Sequence, residues 1–297
     1  MKSNIITKLD ELNLIDRFLF AETMENRDAY QAAVSILLED EVELLKKPET
    51  EKEYRISPGL RQIRLDVISM DKNYKLYYSE MQQRDTGNLR KRSRYYQAQL
   101  DVSLLEPGSK DFNFLNDSCF ILIAPFDIFG RNLYRYTFEG ACRECPDLKL
   151  EDGAIRVFIN TKGENHRDFS IEFLDFMKYI MTTTDAVANN TTSKKIKLIH
   201  ENVQKIRLSE KMGVKYMQLW EEKAYIMEEA REEGLALGHA QGIEQGIEQG
   251  IEQGIVAFIL DNLEEGKSKD TIISKLIRHF SLSESAALGY YDKYGIS

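Results

Sequence analysis

The feature that most limits the folds open to this chain is an apolar run at residues 119–126. A run of this length suits a β-strand and falls far short of the ~20 residues that a membrane-spanning helix requires. Because polar residues bound it, the run is typical of a central strand that is buried on both faces. The chain is therefore expected to build a sheet covered on both sides, and not to enter a membrane.

A β-hairpin is expected upstream of this run. Residues 63–69 alternate apolar side chains with a period of two, a turn signal follows at 71–73, and residues 75–82 return as a tyrosine-rich strand. If the loop is the five residues 71–75, Asp66 lies directly opposite Glu80. A slip of one residue would place these two side chains on opposite faces of the sheet.

The remaining elements of the first 181 residues alternate between helix and strand. Polar residues 49–53 are interpreted as the end of the first helical region. The whole order predicts a mixed sheet flanked by helices, in the α/β or α+β class. Helical spacing predicts two helices within 8–45 and one, capped by Asn88, that runs to about Leu105, while further strands are expected at 132–138 and 154–160.

The C-terminal part of the chain is expected to be helical. A polar linker is predicted at residues 182–195. From residue 196 to about 240 the pattern is helical and increasingly acidic, and the Gln-Gly-Ile-Glu repeat follows at 241–255. Four residues advance a helix by about 400°, so the isoleucines stay on one side, while each glycine costs about 1 kcal/mol of helix propensity. The arm therefore favours a partner helix, as in a homo-oligomer. The predicted domains are a core at 1–181, linker and arm at 182–255, and a small helical bundle at 256–297.

The net charge of −9 is concentrated in one segment. Residues 221–254 hold nine acidic and two basic side chains, whereas residues 1–220 hold 34 acidic and 33 basic ones. Within that nearly neutral body, cations crowd residues 84–94, which is compatible with binding a polyanion such as DNA. We name this set the basic cluster: Arg84, Arg90, Lys91, Arg92 and Arg94, with Tyr95 as a candidate for stacking on a base or sugar.

The hairpin carries the candidate chemistry. Asp66 lies in an otherwise apolar strand, where an ionised carboxylate is costly unless a counter-charge or metal ion accompanies it. Opposed residues of a hairpin have Cβ atoms about 4.5–5.5 Å apart, which suits Asp66 and Glu80 to binding one cation. Gln82 shares the face of Glu80. Carboxylate oxygens favour a hard divalent cation such as Mg²⁺ or Mn²⁺.

These segments resemble a known family, the PD-(D/E)XK nuclease family transposases, also called the Rpn recombination-promoting nucleases. The resemblance spans most of residues 1–260 and includes the glutamine- and glycine-rich helical arm. It is specific because several separate motifs match in order. These motifs are RLDV at 64–67, YSEMQ at 78–82, KRSRYYQ at 91–97, FDIFG at 126–130, YTFE at 136–139 and FINTKG at 158–163.

The resemblance implies a restriction-endonuclease-like core that hydrolyses DNA phosphodiesters with Mg²⁺. It assigns Asp66 and Glu80 as metal ligands and the backbone carbonyl of Met81 as a further ligand. Gln82 stands where the wider superfamily usually has lysine. Glutamine can orient a water molecule but cannot accept its proton as a general base, so activation of the water would fall on the metal ion.

Other interpretations of the same residues stay open. The glutamine at position 82 also fits a catalytically degenerate nuclease fold that binds nucleic acid or a protein partner without cleaving it. Cys142 and Cys145 have the spacing of half a zinc site, but the chain has only one further cysteine. Three cysteines cannot form a full disulfide framework, which favours a reducing, cytoplasmic location.

Overall fold

The computed structural model describes residues 7–55, 59, 62–105, 108 and 110–295. The chain folds as two compact units, residues 1–217 and 218–297. Within the described residues, no helix is both long enough and apolar enough to cross a lipid bilayer.

The first unit contains a six-stranded mixed sheet within the described residues, in the order β1-β2-β3-β4-β6-β5. The pairs β1–β2, β2–β3 and β5–β6 are antiparallel, whereas β3–β4 and β4–β6 are parallel. The strands are β1 (Glu49–Tyr54), β2 (Ile63–Met70), β3 (Leu76–Met81), β4 (Ser118–Ala124), β5 (Arg135–Phe138) and β6 (Ala154–Asn160).

Helices account for most of the remaining described residues. Six of them belong to the first unit, and α7 continues from the first unit into the second. The helices are α1 (Arg17–Met24), α2 (Arg27–Leu38), α3 (Leu89–Leu104), α4 (Ile171–Met181), α5 (Asp185–Asn190), α6 (Lys194–Arg207), α7 (Glu210–Glu264), α8 (Lys269–Phe280) and α9 (Glu284–Tyr294).

The apolar run forms β4, as predicted, and every residue of that strand is buried. Phe120 and Leu122 belong to one hydrophobic cluster with Leu100 of α3. On β3, the Tyr30 hydroxyl of α2 lies 2.8 Å from the Ser79 hydroxyl. Ser79 pairs with Ile121, so its side chain lies on the face opposite that of Phe120 and Leu122, and helices therefore cover the sheet from both sides. The mixed sheet flanked by helices is confirmed.

The predicted hairpin register is also observed. Met70 pairs with Leu76, and Val67 pairs with Ser79. Continued by one residue, this antiparallel register sets Asp66 opposite Glu80, as the five-residue loop required. The hairpin thus brings the two candidate carboxylates to neighbouring strands.

Two local expectations were wrong. Residues 49–53 belong to strand β1, because a strand at the edge of a sheet tolerates charged side chains that a central strand does not. Asn88 precedes α3, but its side chain makes no capping hydrogen bond and instead accepts one from the Thr86 hydroxyl. The predicted helix itself is present.

The first unit extends past residue 181, where the core was expected to end. The segment predicted as a linker contains α5 and the first residues of α6, and Ser193 caps α6 by accepting a hydrogen bond from the Ile196 N–H. Ile196, Ile199 and Val203 of α6 are fully buried. Helical side chains that bury apolar surface in this way belong to a folded unit, so the boundary lies inside α7 rather than at 181.

The second unit consists of the arm and a small helical bundle. The repeat lies within the continuous helix α7, and Ile243, Ile247 and Ile251 are each about half exposed. Further along the same helix, Ile255 and Ile259 are buried in a cluster formed with α8 and α9. The predicted C-terminal bundle is present, with the last turns of α7 as its third helix.

Candidate metal and nucleic-acid site

Asp66 is the most deeply buried carboxylate of the predicted site, with no exposed surface. Its Oδ2 accepts a 2.8 Å hydrogen bond from the Met81 N–H on the neighbouring strand. Its Oδ1 forms an ion pair with Nε of Arg17, at the start of α1. One oxygen is therefore held by the backbone, and the other faces a guanidinium.

Glu80 lies beside it, with only 4 % of its surface exposed. Oε2 is 3.7 Å from an Nη of Arg92 on α3, whereas the buried Oε1 has no hydrogen-bond partner among the described residues. A buried carboxylate oxygen without a donor costs free energy, typically about 1–3 kcal/mol. This oxygen is the clearest unsatisfied acceptor at the site.

Glu51 and Arg17 form a charge cluster with Asp66 and Glu80, and neither of the two was predicted from the sequence. Glu51 interrupts the β1–β2 ladder between the pairs Thr50–Val67 and Lys52–Leu65, with φ at 53° in the left-handed region. Its Oε2 lies 3.3 Å from Arg17 and also pairs with Nε of Arg64. A polar run and an isolated arginine carry no sequence signal for this arrangement. Only the fold brings them next to Asp66.

Burial raises the pKa of both carboxyl groups above their ordinary range. For Asp66, loss of hydration raises the pKa to about 6, against the opposing effects of Arg17 and the Met81 N–H. For Glu80, burial is again the largest cause, and the neighbouring Asp66 charge raises the pKa further, while Arg92 and Arg17 oppose it. The pair therefore resists holding two negative charges unless more positive charge is supplied.

Gln82 uses both ends of its amide within the protein. Its Nε2 donates a 2.6 Å hydrogen bond to the Arg84 carbonyl, and its Oε1 accepts a 2.7 Å hydrogen bond from Arg92. The same Arg92 guanidinium reaches Glu80. Gln82 thus positions the arginine beside the carboxylate, a role that the sequence did not reveal.

The basic cluster divides into two groups. Arg92 is turned inward to Glu80 and Gln82, and Arg90 donates a 2.6 Å hydrogen bond to the Ile128 carbonyl. The Tyr95 hydroxyl accepts a hydrogen bond from Gln99 one turn later on α3. The members of the basic cluster that are exposed to solvent are Arg84, Arg90, Lys91 and Arg94.

The two carboxylates fit a hard divalent cation in their chemistry. Their oxygens are the ligands that Mg²⁺ and Mn²⁺ prefer, and the unpartnered Glu80 Oε1 is available to such an ion. Within the described residues, no group of three or more histidine, cysteine, aspartate or glutamate side chains forms a metal site. The pair would therefore rely on backbone oxygens or water for its other ligands, as Mg²⁺ commonly does.

This chain matches no protein-family model, no curated protein and no solved structure.

The raised pKa values lead to a prediction about stability. A carboxyl whose folded pKa is raised adds stability below its unfolded pKa of about 4.3, and this stability is lost as the pH rises through the folded pKa. Glutamine stays neutral at every pH and so avoids this loss. We therefore expect Glu80→Gln, in EDTA, to raise Tm by at least about 2 °C at pH 8 and to change it little at pH 5. Thermal unfolding followed by circular dichroism measures both.

The control is Glu43→Gln, because Glu43 is an exposed carboxylate whose pKa is lowered by its hydrogen bond to Lys72. This variant should show no gain at pH 8. A Glu80→Gln protein that is less stable than the parent at pH 8 would contradict the raised pKa.

Proposed function

We propose that this chain is a metal-dependent DNA endonuclease with a restriction-endonuclease-like core of the PD-(D/E)XK type. The observation that carries the proposal is the buried pair Asp66 and Glu80 on adjacent strands, with Oε1 of Glu80 lacking a protein donor among the described residues. Exposed cations of the basic cluster follow directly in the chain. The motif resemblance extends the proposal to a role in recombination or mobile elements, in the cytoplasm.

Asp66 and Glu80 would hold Mg²⁺ or Mn²⁺, with the Met81 carbonyl as the further ligand that the resemblance implies. A cation bound there would lower the pKa of a bound water and would offset charge that develops on the phosphate. The chain's own contribution is orientation. The Met81 N–H fixes Asp66, while Gln82 holds Arg92 close to Glu80.

Arg92 has a second use in this proposal. Its guanidinium lies 3.7 Å from Glu80 and retains donors beyond those that contact Glu80 and Gln82. Guanidinium groups bind phosphate oxygens with two parallel hydrogen bonds, which orients the scissile phosphate next to the carboxylates. Gln82 has no basic group, so no side chain at that position takes the proton from water.

The test is cleavage of supercoiled plasmid by the purified full-length protein. We expect conversion to nicked or linear forms in Mg²⁺ or Mn²⁺ and none in EDTA. Protein that leaves the plasmid intact in both ions, while folded by circular dichroism, would contradict the endonuclease proposal.

Salt dependence of DNA binding tests the surface that contacts phosphate. The log of the binding constant falls with log salt concentration with a slope of about −0.9 per phosphate neutralised. Replacing Arg84, Lys91 and Arg94 together by alanine should therefore weaken binding and make the slope shallower by about 2–3. Fluorescence anisotropy of a labelled duplex at several salt concentrations measures this slope in EDTA.

The matched control replaces three exposed lysines on α6, Lys194, Lys197 and Lys205, which removes the same charge from another surface of the unit. This variant should keep the parental slope. If both triple variants reduce the slope equally, binding depends on overall charge and the basic cluster has no special role.

A second function, binding without cleavage, is favoured by one observation. Both ends of the Gln82 amide are engaged with the protein, at the position where lysine would assist the attacking water. Metal titration separates the two functions. A nuclease should gain about 2.7 kcal/mol of stability at a cation concentration of 100 Kd, whereas a module that binds only nucleic acid should gain none.

A further inference from the structure

Arg17 is the basic side chain in direct contact with the deepest carboxylate of the site. Its Nε pairs with Oδ1 of Asp66, and one Nη lies 3.3 Å from Oε2 of Glu51. The positive charge of Arg17 also acts to lower the pKa of Glu80, against the effect of burial. Arg17 therefore already supplies positive charge to all three carboxylates of the cluster.

The position of Arg17 is set by its neighbours. Asp16 caps α1 by accepting hydrogen bonds from the Phe18 and Leu19 N–H groups, which fixes the first turn that carries Arg17. Glu51 contacts the other side of the guanidinium from a left-handed backbone conformation, which is unfavourable for a residue other than glycine.

The oxygens of Asp66 are not equivalent for binding a cation. Oδ2 accepts the Met81 N–H, and Oδ1 faces Arg17. A cation that binds Oδ1 must approach the guanidinium, and two positive charges in a weakly hydrated site repel strongly. The Nε of Arg17 is buried, but 41 % of the side-chain surface is exposed, so the side chain borders solvent into which the guanidinium can move while Glu51 retains it.

We propose that Arg17 is an internal competitor for the divalent cation: its guanidinium and the ion compete for Oδ1 of Asp66, and binding of the ion displaces Arg17 towards Glu51. This inference rests on the proposed metal site. It makes the affinity for the ion lower than two buried carboxylates alone would give. It also identifies Arg17 as a positioning residue that sets how much Mg²⁺ the site needs.

The experiment measures Mn²⁺ binding to the full-length protein at pH 8 by electron paramagnetic resonance of the free ion. We expect Arg17→Met, which keeps an apolar stem and removes the charge, to bind Mn²⁺ at least tenfold more tightly than the parent. Arg64→Met is the matched control, because Arg64 contacts Glu51 but makes no ion pair with Asp66. Its affinity should stay within twofold of the parent.

Further variants make each outcome decisive. If Arg17→Met does not fold, Arg17→Gln carries the same expectation. Equal or weaker binding by the Arg17 variant, with binding still lost in Asp66→Asn, would overturn the competition and leave the metal site standing. No Mn²⁺ binding by the parent or any variant would overturn both this inference and the metal-dependent nuclease. Tighter binding in both Arg17→Met and Arg64→Met would reduce the effect to general charge and overturn the specific role of Arg17.

Discussion

Replacing Glu80 by glutamine is expected to lower the rate of plasmid cleavage on the order of 10³-fold. A bound metal ion contributes several kcal/mol to stabilising developing charge, and each 1.36 kcal/mol is a factor of ten in rate. Glutamine keeps the shape of the side chain but removes the charge that holds the ion. Gel analysis of nicked and linear plasmid over time in Mg²⁺ measures the loss.

This variant is informative because it should remain folded. Burial already raises the pKa of Glu80, so the native site favours a neutral group at this position when no ion is bound. Asp66→Asn should lose cleavage to a similar extent, whereas the exposed Glu43→Gln should cleave as the parent does. Cleavage that survives both Glu80→Gln and Asp66→Asn would show that the reaction occurs elsewhere.

The second large effect is expected in the arm. Gly242, Gly246 and Gly250 lie inside α7, and a Cβ added at any of them meets no heavy atom within 4 Å among the described residues. Alanine is more favourable than glycine in a helix by about 0.8–1.0 kcal/mol. Replacing all three by alanine should therefore stabilise the arm by about 3 kcal/mol. Hydrogen exchange of the amides of residues 242–250 should slow by about a hundredfold.

Gly266 provides the opposite control. It has φ at 72°, a conformation that L side chains rarely adopt, so Gly266→Ala should destabilise the helix end by about 1 kcal/mol. The arm variant also tests the expected homo-oligomer. If the three glycines let a second copy of the helix approach closely, the alanine variant will dissociate and show a lower mass than the parent in analytical ultracentrifugation. Its amides will then exchange faster, which would contradict the slower exchange predicted for this variant.

Much of the sheet follows from local patterns. The alternation at 63–69, the turn at 71–73 and the tyrosine-rich return predicted the hairpin. The register that sets Asp66 opposite Glu80 was predicted only on the condition of a five-residue loop, which the structure has. The continuous apolar run predicted the buried strand β4. These features are readable because side-chain period and turn length act over a few residues.

The edge of the sheet was not predictable in the same way. Strand β1 has a mostly charged sequence that resembles a loop, and it becomes a strand because the apolar edge of β2 offers it a hydrogen-bonding partner. Helical spacing did predict a helix from residue 196, but not that this helix, α6, belongs to the first unit. The apolar residues of α6 are buried because α1 and α2 pack against this helix in the folded chain.

The sequence by itself determined the hairpin, the buried strand β4, the basic cluster and the helical arm, because each depends on neighbours in the chain. The pairing of Asp66 with Glu80 follows once the loop is set at five residues. Only the tertiary structure decided the electrostatics of the site. Arg17 reaches Asp66 from a separate helix, and Arg92 turns inward to Glu80 instead of facing solvent. Burial and counter-charge depend on how separate elements pack, and these two properties set whether the carboxylates are charged.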